Sequence, residues 1–241
     1  MSVAQVSAMW GLVIPLLLLL LLVGALGGVW VALGSKRSHM LRASDGAPGR
    51  QASTEAQAGI DNAQHAVALD PTNADVWITL GSGLSEAARH EEAIAAYRRA
   101  TELDPADAVA WNNLGTTLAI LRRHEEAIAA YRQATAIDAS LAPVWNNLGA
   151  SLAILELFDE ALTTYQAALA VDPADAGAWY NLGTILRRLE RNEEALRAYE
   201  HSLAYHDRDP LTWNGKAKAL RALGREEAAR AAEARARELE G

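Results

Sequence analysis

The hydrophobic positions of this chain form two different patterns, one near the N-terminus and one over the rest. From Met9 to Gly34 no residue is charged, and residues 16–22 are seven consecutive leucines. Beyond residue 54, apolar and small residues instead recur at intervals of three and four, with polar residues between them. That spacing is the period of one face of an α-helix, whereas a long unbroken apolar run is typical of a membrane-spanning helix. The chain is therefore predicted to contain one long apolar helix followed by many amphipathic helices.

The amphipathic part repeats itself every 34 residues. In each of the first four units a tryptophan is followed three and four residues later by a Leu-Gly pair, and further on by an alanine and, four residues after it, a tyrosine. Residues spaced by three or four share one face of a helix, so the Trp-Leu-Gly set predicts one helix and the Ala-Tyr set a second. Each unit is thus a predicted helical hairpin. The five tryptophans that mark the units are Trp77, Trp111, Trp145, Trp179 and Trp213.

This arrangement resembles the tetratricopeptide-repeat family, whose signature has Trp, Leu-Gly, Ala and an aromatic residue at these intervals and a proline near the end of the repeat. Asp104-Pro105 and Asp172-Pro173 stand at the ends of two units. The resemblance implies an all-α fold, an α-solenoid in which helix-turn-helix repeats stack into a right-handed superhelix. The repeats are expected at 74–107, 108–141, 142–175, 176–209 and 210–241.

The two ends of the array are expected to differ from its middle. Residues 54–73 lack a tryptophan helix but contain Leu69-Asp70-Pro71, which matches the close of a unit, and are predicted to supply a capping helix equal to half a repeat. In the fifth unit, polar Lys216 and Glu233 replace the leucine and the aromatic residue of the other units. Polar residues at these positions predict a C-terminal cap whose outer face meets water.

The apolar run at 10–34, after a short tail at 1–9, is predicted to be a transmembrane helix. An uncharged stretch of about 18 or more apolar residues is long enough to cross a bilayer. Trp10 and Trp30 bracket the run, as the aromatic residues at membrane interfaces do. The alternative is a cleaved signal peptide, but the tail has no Lys or Arg and the run exceeds the roughly 7–15 apolar residues of a signal peptide.

Charge predicts how the chain is oriented. Residues 35–53 form an expected flexible linker with a net charge of +3, and no basic residue precedes the apolar run. The positive-inside rule therefore places the repeats in the cytoplasm, with a periplasmic or other extracytoplasmic array as the alternative. Because the whole chain has a net charge of −8 and residues 1–34 are uncharged, residues 54–241 carry −11. An array this acidic disfavours nucleic-acid binding.

Residues that could serve catalysis or metal binding have simpler interpretations. His90 and His124 each precede two glutamates, but an isoleucine, as at Ile94, stands where a zinc-protease helix has its second histidine. Aspartate pairs such as Asp104 and Asp107 lie between predicted helices, where aspartate ends one helix and caps the next. The sequence contains no cysteine, which excludes thiolate chemistry. No enzyme activity, metal or cofactor is therefore expected.

In this family the first helix of each unit lines the concave face, so its exposed positions are the candidate peptide-binding residues. Asn113, Asn147 and Asn181 resemble the asparagine ladder in the repeat domain of O-linked N-acetylglucosamine transferase, whose amides hold the backbone of an extended peptide. Three rungs are expected, because Thr79 and Gly215 stand at this position in the first and last units. Hydrated asparagines without a ligand are the alternative. The candidate set is Asn112, Asn113, Asn146, Asn147, Tyr180, Asn181, Arg187, Arg188, Lys218 and Arg221, with Thr116, Ala150 and Thr184 on the same face.

The four basic residues of that set are expected to gather at the C-terminal end of the concave face. They would either meet an acidic segment of a partner or be solvated. The carboxylate clamp by which some members of the family hold chaperone C-termini is not expected, because Ile78 and Ser82 stand where it has Lys and Asn.

These patterns together predict a single-pass, membrane-anchored adaptor that binds a peptide or helix of a protein partner in its concave groove. The alternative is a structural scaffold at the membrane that associates with itself. Gly24, Gly28 and Ala32 have the small-xxx-small spacing that lets two membrane helices approach closely, which is one route to such a homo-oligomer.

Overall fold

The computed structural model describes the backbone of residues 48–240 and the side chains of residues 56–240. The expected tail, transmembrane helix and most of the linker lie outside these residues. Within the described part, no helix is long and apolar enough to span a bilayer. The regular structure of this part is entirely α-helical and consists of α1 Pro48–Leu69, α2 Ala74–Glu86, α3 His90–Leu103, α4 Ala108–Ile120, α5 His124–Ile137, α6 Ala142–Ile154, α7 Phe158–Val171, α8 Ala176–Arg188, α9 Asn192–Tyr205, α10 Pro210–Ala222 and α11 Glu226–Glu240.

The helices pair as the 34-residue period predicts. Units 1 to 5 are the hairpins α2–α3, α4–α5, α6–α7, α8–α9 and α10–α11, and the second helix of each unit also packs on the first helix of the next. Helix α1 packs on α2 at the N-terminal side. The solenoid of helical hairpins expected from the sequence is thereby confirmed.

Helix α1 begins earlier than the sequence pattern indicated. It starts at Pro48, so residues 48–53, which we assigned to the linker from their composition, are helical. Proline is favoured at the first position of a helix, since its missing N–H has no intrahelical partner there. The alanine and glutamine that follow are good helix formers. Composition alone therefore placed the boundary too far along the chain.

The aspartates between units end and start helices. The Asp107 carboxylate accepts hydrogen bonds from the backbone N–H groups of Val109 (2.7 Å) and Ala110 (3.1 Å) at the start of α4. The Asp104 carboxylate instead accepts from the N–H of Ala106 in the turn itself (2.9 Å). Asp175 caps α8 in the way that Asp107 caps α4. The interpretation of these pairs as helix stops and caps is confirmed.

A tyrosine against a glycine forms the centre of each of the first four units. A Cβ atom built on Gly115 would lie 2.7 Å from Cε1 of Tyr131, so no larger residue fits without displacing the ring. The Tyr131 side chain is only 2% exposed. The same pair recurs in units 1, 3 and 4. The glycine of the Leu-Gly pair therefore lets the two helices of a hairpin approach across an aromatic ring.

Each tryptophan also ties its unit to the turn before it. The indole N–H donates to the backbone carbonyl six residues earlier in all five units, for example from Trp111 Nε1 to Pro105 O at 3.1 Å and from Trp213 Nε1 to Asp207 O at 2.8 Å. The tryptophans are half-buried rather than fully buried, with the polar edge of the ring turned to this bond. Each tryptophan of the 34-residue period is thus fixed by a hydrogen bond as well as by packing.

Candidate peptide-binding groove

The first helices of the units form the inner layer of the solenoid. Cα atoms of neighbouring first helices come within 8 Å of each other along the whole series α2, α4, α6, α8 and α10, whereas those of neighbouring second helices do not. The first helices therefore lie on the inside of the curve. Second helices are instead linked across the outer face by exposed ion pairs, such as Arg98–Glu126 at 2.9 Å and Arg132–Glu160 at 2.6 Å.

The asparagines of the expected ladder lie half-buried on this inner layer, but they are not equivalent. Asn181 Nδ2 donates to Asn146 Oδ1 at 3.0 Å and so bridges units 3 and 4. One unit earlier the matching residues are Asn147 and Asn112, and they are not bonded to each other. Asn112 Oδ1 is buried without a hydrogen-bond partner among the described residues. The middle of the face thus carries amides that are only partly satisfied by the protein itself.

The hydroxyl groups five positions after the tryptophans serve the tyrosines. Thr116 Oγ1 accepts from the Tyr131 hydroxyl at 3.2 Å, and Thr184 Oγ1 lies at the same distance from the Tyr199 hydroxyl. In unit 3 the residue is Ala150, so Tyr165 lacks this partner. Burial raises the pKa of Tyr131 to about 12, which keeps its phenol protonated at neutral pH. These threonines, expected on the groove face, are therefore mainly internal partners of the core.

The C-terminal end of the inner face contains a cavity of about 310 Å³ between α8, α9 and α10. Arg187 and Lys218, both in the candidate set, line it together with Tyr180 of the same set. The Tyr180 and Tyr199 rings are tilted by 51° with their centroids 6.0 Å apart, and burial raises the pKa of Tyr180. The complete lining is Tyr180, Thr184, Arg187, Tyr199, Leu211, Asn214, Gly215 and Lys218.

The other two basic residues of the set do not belong to this cavity. Arg221 Nη2 lies 2.8 Å from Glu233 Oε1, and Arg221 Nε lies 3.6 Å from Glu226 Oε2, both on α11. The hydrogen bond with Glu233 raises the pKa of Arg221. Arg188 is exposed at the last residue of α8, beyond the lining. The structure thus brings two of the four expected basic residues together and pairs a third with the C-terminal helix.

Sequence analysis did not select Asn214, Leu211 or Tyr199 for this site, and it treated Gly215 only as the end of the asparagine ladder. The available signal was a departure from the 34-residue pattern. Gly215 stands where units 2 to 4 have asparagine, and a Cβ atom there would lie 2.6 Å from Tyr199 Cε1. The missing side chain leaves the space that Tyr199 and the cavity occupy.

The histidines that resembled a zinc motif stand at the starts of helices. His90 is the first residue of α3 and His124 the first residue of α5. The His124 side chain is 5% exposed, and burial, with a contribution from Arg122, lowers its pKa. Among the described residues, no group of three or more His, Asp or Glu side chains is placed to hold a metal ion.

Family models and solved structures give a consistent comparison. One model described as tetratricopeptide repeat matches residues 78–142 and 183–240, and a second with the same description matches residues 140–204. No curated protein sequence matches this chain.

Three solved structures illustrate the fold. The chain is similar to MamA from Desulfovibrio magneticus RS-1, with 19% identity and a TM-score of 0.66 over 69% of this chain and 94% of that one. It is similar to YrrB, a TPR protein with an unusual peptide-binding site, with 21% identity and a TM-score of 0.65 over 73% and 91%. It is also similar to PilF from Pseudomonas aeruginosa, with 25% identity and a TM-score of 0.62 over 76% and 79%.

Proposed function

This chain belongs to the tetratricopeptide-repeat family, and we propose that it is a membrane-anchored scaffold whose inner face binds an extended segment of a partner protein. The observation that carries this proposal is the row of amide side chains on successive first helices. Asn113, Asn147 and Asn181 occupy the same position in three consecutive units, on the inner layer.

Amides suit the backbone of a peptide. An asparagine side chain offers two N–H donors and a carbonyl acceptor, the same groups that an extended peptide must satisfy when it leaves water. Asn147 makes no side-chain hydrogen bond to the described residues, and the carbonyl of Asn112 is unpartnered, so polar capacity remains. The helices that carry them are held by the tyrosine–glycine packing, which limits the ordering that binding requires. YrrB, which has a peptide-binding site, supports this use of the fold by analogy.

We also infer that the scaffold is not an enzyme. The aspartates between units are used as helix caps, and the buried His124 lies at the start of α5 with no acid or nucleophile of the described residues bonded to it. Acid–base and nucleophilic catalysis require such groups within hydrogen-bond reach of each other. Binding is therefore the function that the inner face supports.

The groove is tested by removing the amides. In the full chain, the triple variant Asn113→Ala/Asn147→Ala/Asn181→Ala is expected to lose binding to peptides selected on the natural chain from a displayed random library. The matched control replaces amides on the outer face, Gln133→Ala/Gln166→Ala, and is expected to bind as the natural chain does. Unchanged binding by the triple variant, with an unchanged melting temperature, would contradict the proposal.

The membrane anchor is supported by residues 10–34, which carry no charge, and by the basic residues that follow them. We place the repeats on the cytoplasmic side. Protease added to sealed right-side-out vesicles is expected to leave the repeats intact, and added to inverted vesicles to digest them. The opposite result would place the array outside the cytoplasm. Release of the chain by alkaline carbonate washing would contradict the anchor itself.

Self-association is the second candidate, favoured by a row of exposed apolar residues. Leu69, Ile137, Val171 and Tyr205 are the last residues of α1, α5, α7 and α9 and are 74%, 38%, 40% and 54% exposed, whereas Leu103, the last residue of α3, is half-buried. Light scattering of the full chain in detergent over a range of concentrations tests it. A mass of one chain per micelle at every concentration would exclude a scaffold built by self-assembly.

A further inference from the structure

Four departures from the repeat meet in the cavity between α8, α9 and α10. The first residue after the tryptophan is asparagine in units 2 and 3 but Tyr180 in unit 4, and the second is asparagine in units 2 to 4 but Gly215 in unit 5. The residue five positions after the tryptophan is small in units 1 to 4 but is Lys218 in unit 5. The residue eight positions after the tryptophan is small in units 1 to 3 but is Arg187 in unit 4. All four residues line the same space.

The size of the cavity limits what it receives. Its volume of about 310 Å³ lies at the lower end of the roughly 300–1,000 Å³ typical of ligand pockets. Gly215 provides much of this space, because any side chain on that residue would meet the Tyr199 ring. The space suits a single side chain rather than a cofactor, and aromatic rings bound it on one side.

The lining of the cavity carries two positive side chains and no acidic one. Neither Arg187 nor Lys218 belongs to an ion pair of the described residues, although the array as a whole is acidic and most of its arginines are paired with glutamates. Arg187 Nε is buried and has no acceptor among the described residues. An unmet buried donor on a charged group is unfavourable, so an anionic acceptor would stabilise it.

Asp209, the residue before α10, directs its carboxylate to the start of its own helix. The Asp209 carboxylate accepts hydrogen bonds from the backbone N–H groups of Leu211 and Thr212 and from the Thr212 hydroxyl, and so caps α10. Lys216, two residues before Lys218, is paired with Glu200 at 3.0 Å on the other side of α10. The two cations of the cavity are thus left for a group from outside the described chain.

We propose that this cavity receives the carboxylate side chain of an aspartate or glutamate in the partner peptide. The proposal rests on the proposed function, since the peptide backbone lies on the asparagine ladder and the acidic side chain enters the cavity from it. An arginine guanidinium binds a carboxylate through two parallel N–H donors, and the ammonium group of Lys218 adds a third donor. The tyrosine rings exclude water on one side, which strengthens these charge-assisted bonds.

A side chain fits better than the C-terminus of a peptide. A terminal carboxylate is part of the peptide backbone, which in the proposed function lies on Asn147 and Asn181. An acidic side chain extends away from the backbone, so it can enter the cavity while its own backbone stays on the amides.

The test uses random peptides displayed on phage through their C-termini, so that no free terminal carboxylate is present, and selects them on the full chain in detergent. The selected peptides are expected to share an acidic residue at one position.

In anisotropy titrations, replacing that residue by its amide should weaken binding to the natural chain about tenfold, the equivalent of about 1.4 kcal/mol. The variant Arg187→Gln/Lys218→Gln should bind the acidic peptide and its amide equally. Arg197→Gln, which changes an exposed cation on α9 that does not line the cavity, should keep the preference.

The outcomes separate the two proposals. If no peptide is selected, or if binding survives loss of the three ladder asparagines, the groove itself is wrong. If peptides bind through the ladder but do not distinguish acid from amide, the cavity proposal alone is overturned. The same holds if the preference persists in Arg187→Gln/Lys218→Gln, or if synthetic peptides show it only through a free C-terminus.

Discussion

Units 2 and 3 and units 4 and 5 use the same helices to present different chemistry on the inner face. In units 2 and 3 neutral asparagines occupy the positions next to the tryptophan, and they do not line the cavity of about 320 Å³ found there, which is bounded by residues such as Arg132, Trp145 and Glu160. Between units 4 and 5 a tyrosine, a glycine and two cations take corresponding positions, and a cavity opens. The tyrosine–glycine pair that holds the hairpins is present in both regions. The residues that hold each hairpin together are therefore different from those on its inner surface. Substitutions at a few positions of the repeat change the chemistry of that surface.

The largest effect is expected where the framework is tightest. Gly115→Ala places a Cβ atom 2.7 Å from the buried Tyr131 ring, so the free energy of unfolding should fall by about 1–3 kcal/mol, as overpacked cores do. Gly59→Ala, on α1 with no atom within 4 Å of the new Cβ, should leave stability unchanged or raised. Melting followed by circular dichroism measures both. Equal melting temperatures for the two variants would contradict the packing described for unit 2.

The same substitution is expected to cost less beside the cavity. Gly215→Ala also meets a tyrosine, at 2.6 Å from Tyr199 Cε1, but this ring borders empty space into which it can move. We expect a loss below about 1 kcal/mol, together with a weaker preference for acidic peptides. A loss as large as that of Gly115→Ala would show that the cavity gives the ring no freedom.

Acid is expected to destabilise unit 2 through His124. Burial lowers the pKa of this imidazole below its usual value of 6.5, so the folded state holds it neutral while the unfolded state takes up a proton. Its contribution to stability is complete above pH 6.5 and is lost as the pH falls through the lower folded pKa. His124→Phe, which copies Phe158 at the same position of unit 3, should flatten the melting temperature between neutral and mildly acidic pH. An unchanged slope would show that other groups cause the acid sensitivity.

The smallest effect concerns a missing hydrogen bond in unit 3. Ala150→Thr restores the hydroxyl that Tyr131 and Tyr199 have in their own units, and should stabilise the chain by a few tenths of a kcal/mol. A hydrogen bond contributes about 0.5–1.5 kcal/mol, and the lower helix propensity of threonine removes roughly half of that. The matched variant Ala150→Val has no hydroxyl and should not stabilise. Equal melting temperatures for the two would contradict the bond to Tyr165.

The fold was largely predictable, and the candidate site only partly. Trp, Leu and Gly at intervals of three and four lie on one helix face by geometry alone, so the helical hairpins followed from the sequence. Arg187, Lys218 and Tyr180 were expected on the inner face because the resemblance to the family implies that the first helix of each unit lines it. The pairing of Arg221 with Glu233 was not, because that contact depends on how α11 folds back against α10.

The sequence by itself determined the helices, the unit of 34 residues, the aspartate caps and the small residues on which the tyrosines pack, since these rest on contacts within one helix or one hairpin. The tertiary structure decided that Asn181 binds Asn146, that Arg221 is neutralised, and that the gap at Gly215 opens beside two unpaired cations. Those features join residues of two or three helices that are distant in the chain. Their distances are set by how successive hairpins stack, which no periodicity in the sequence specifies.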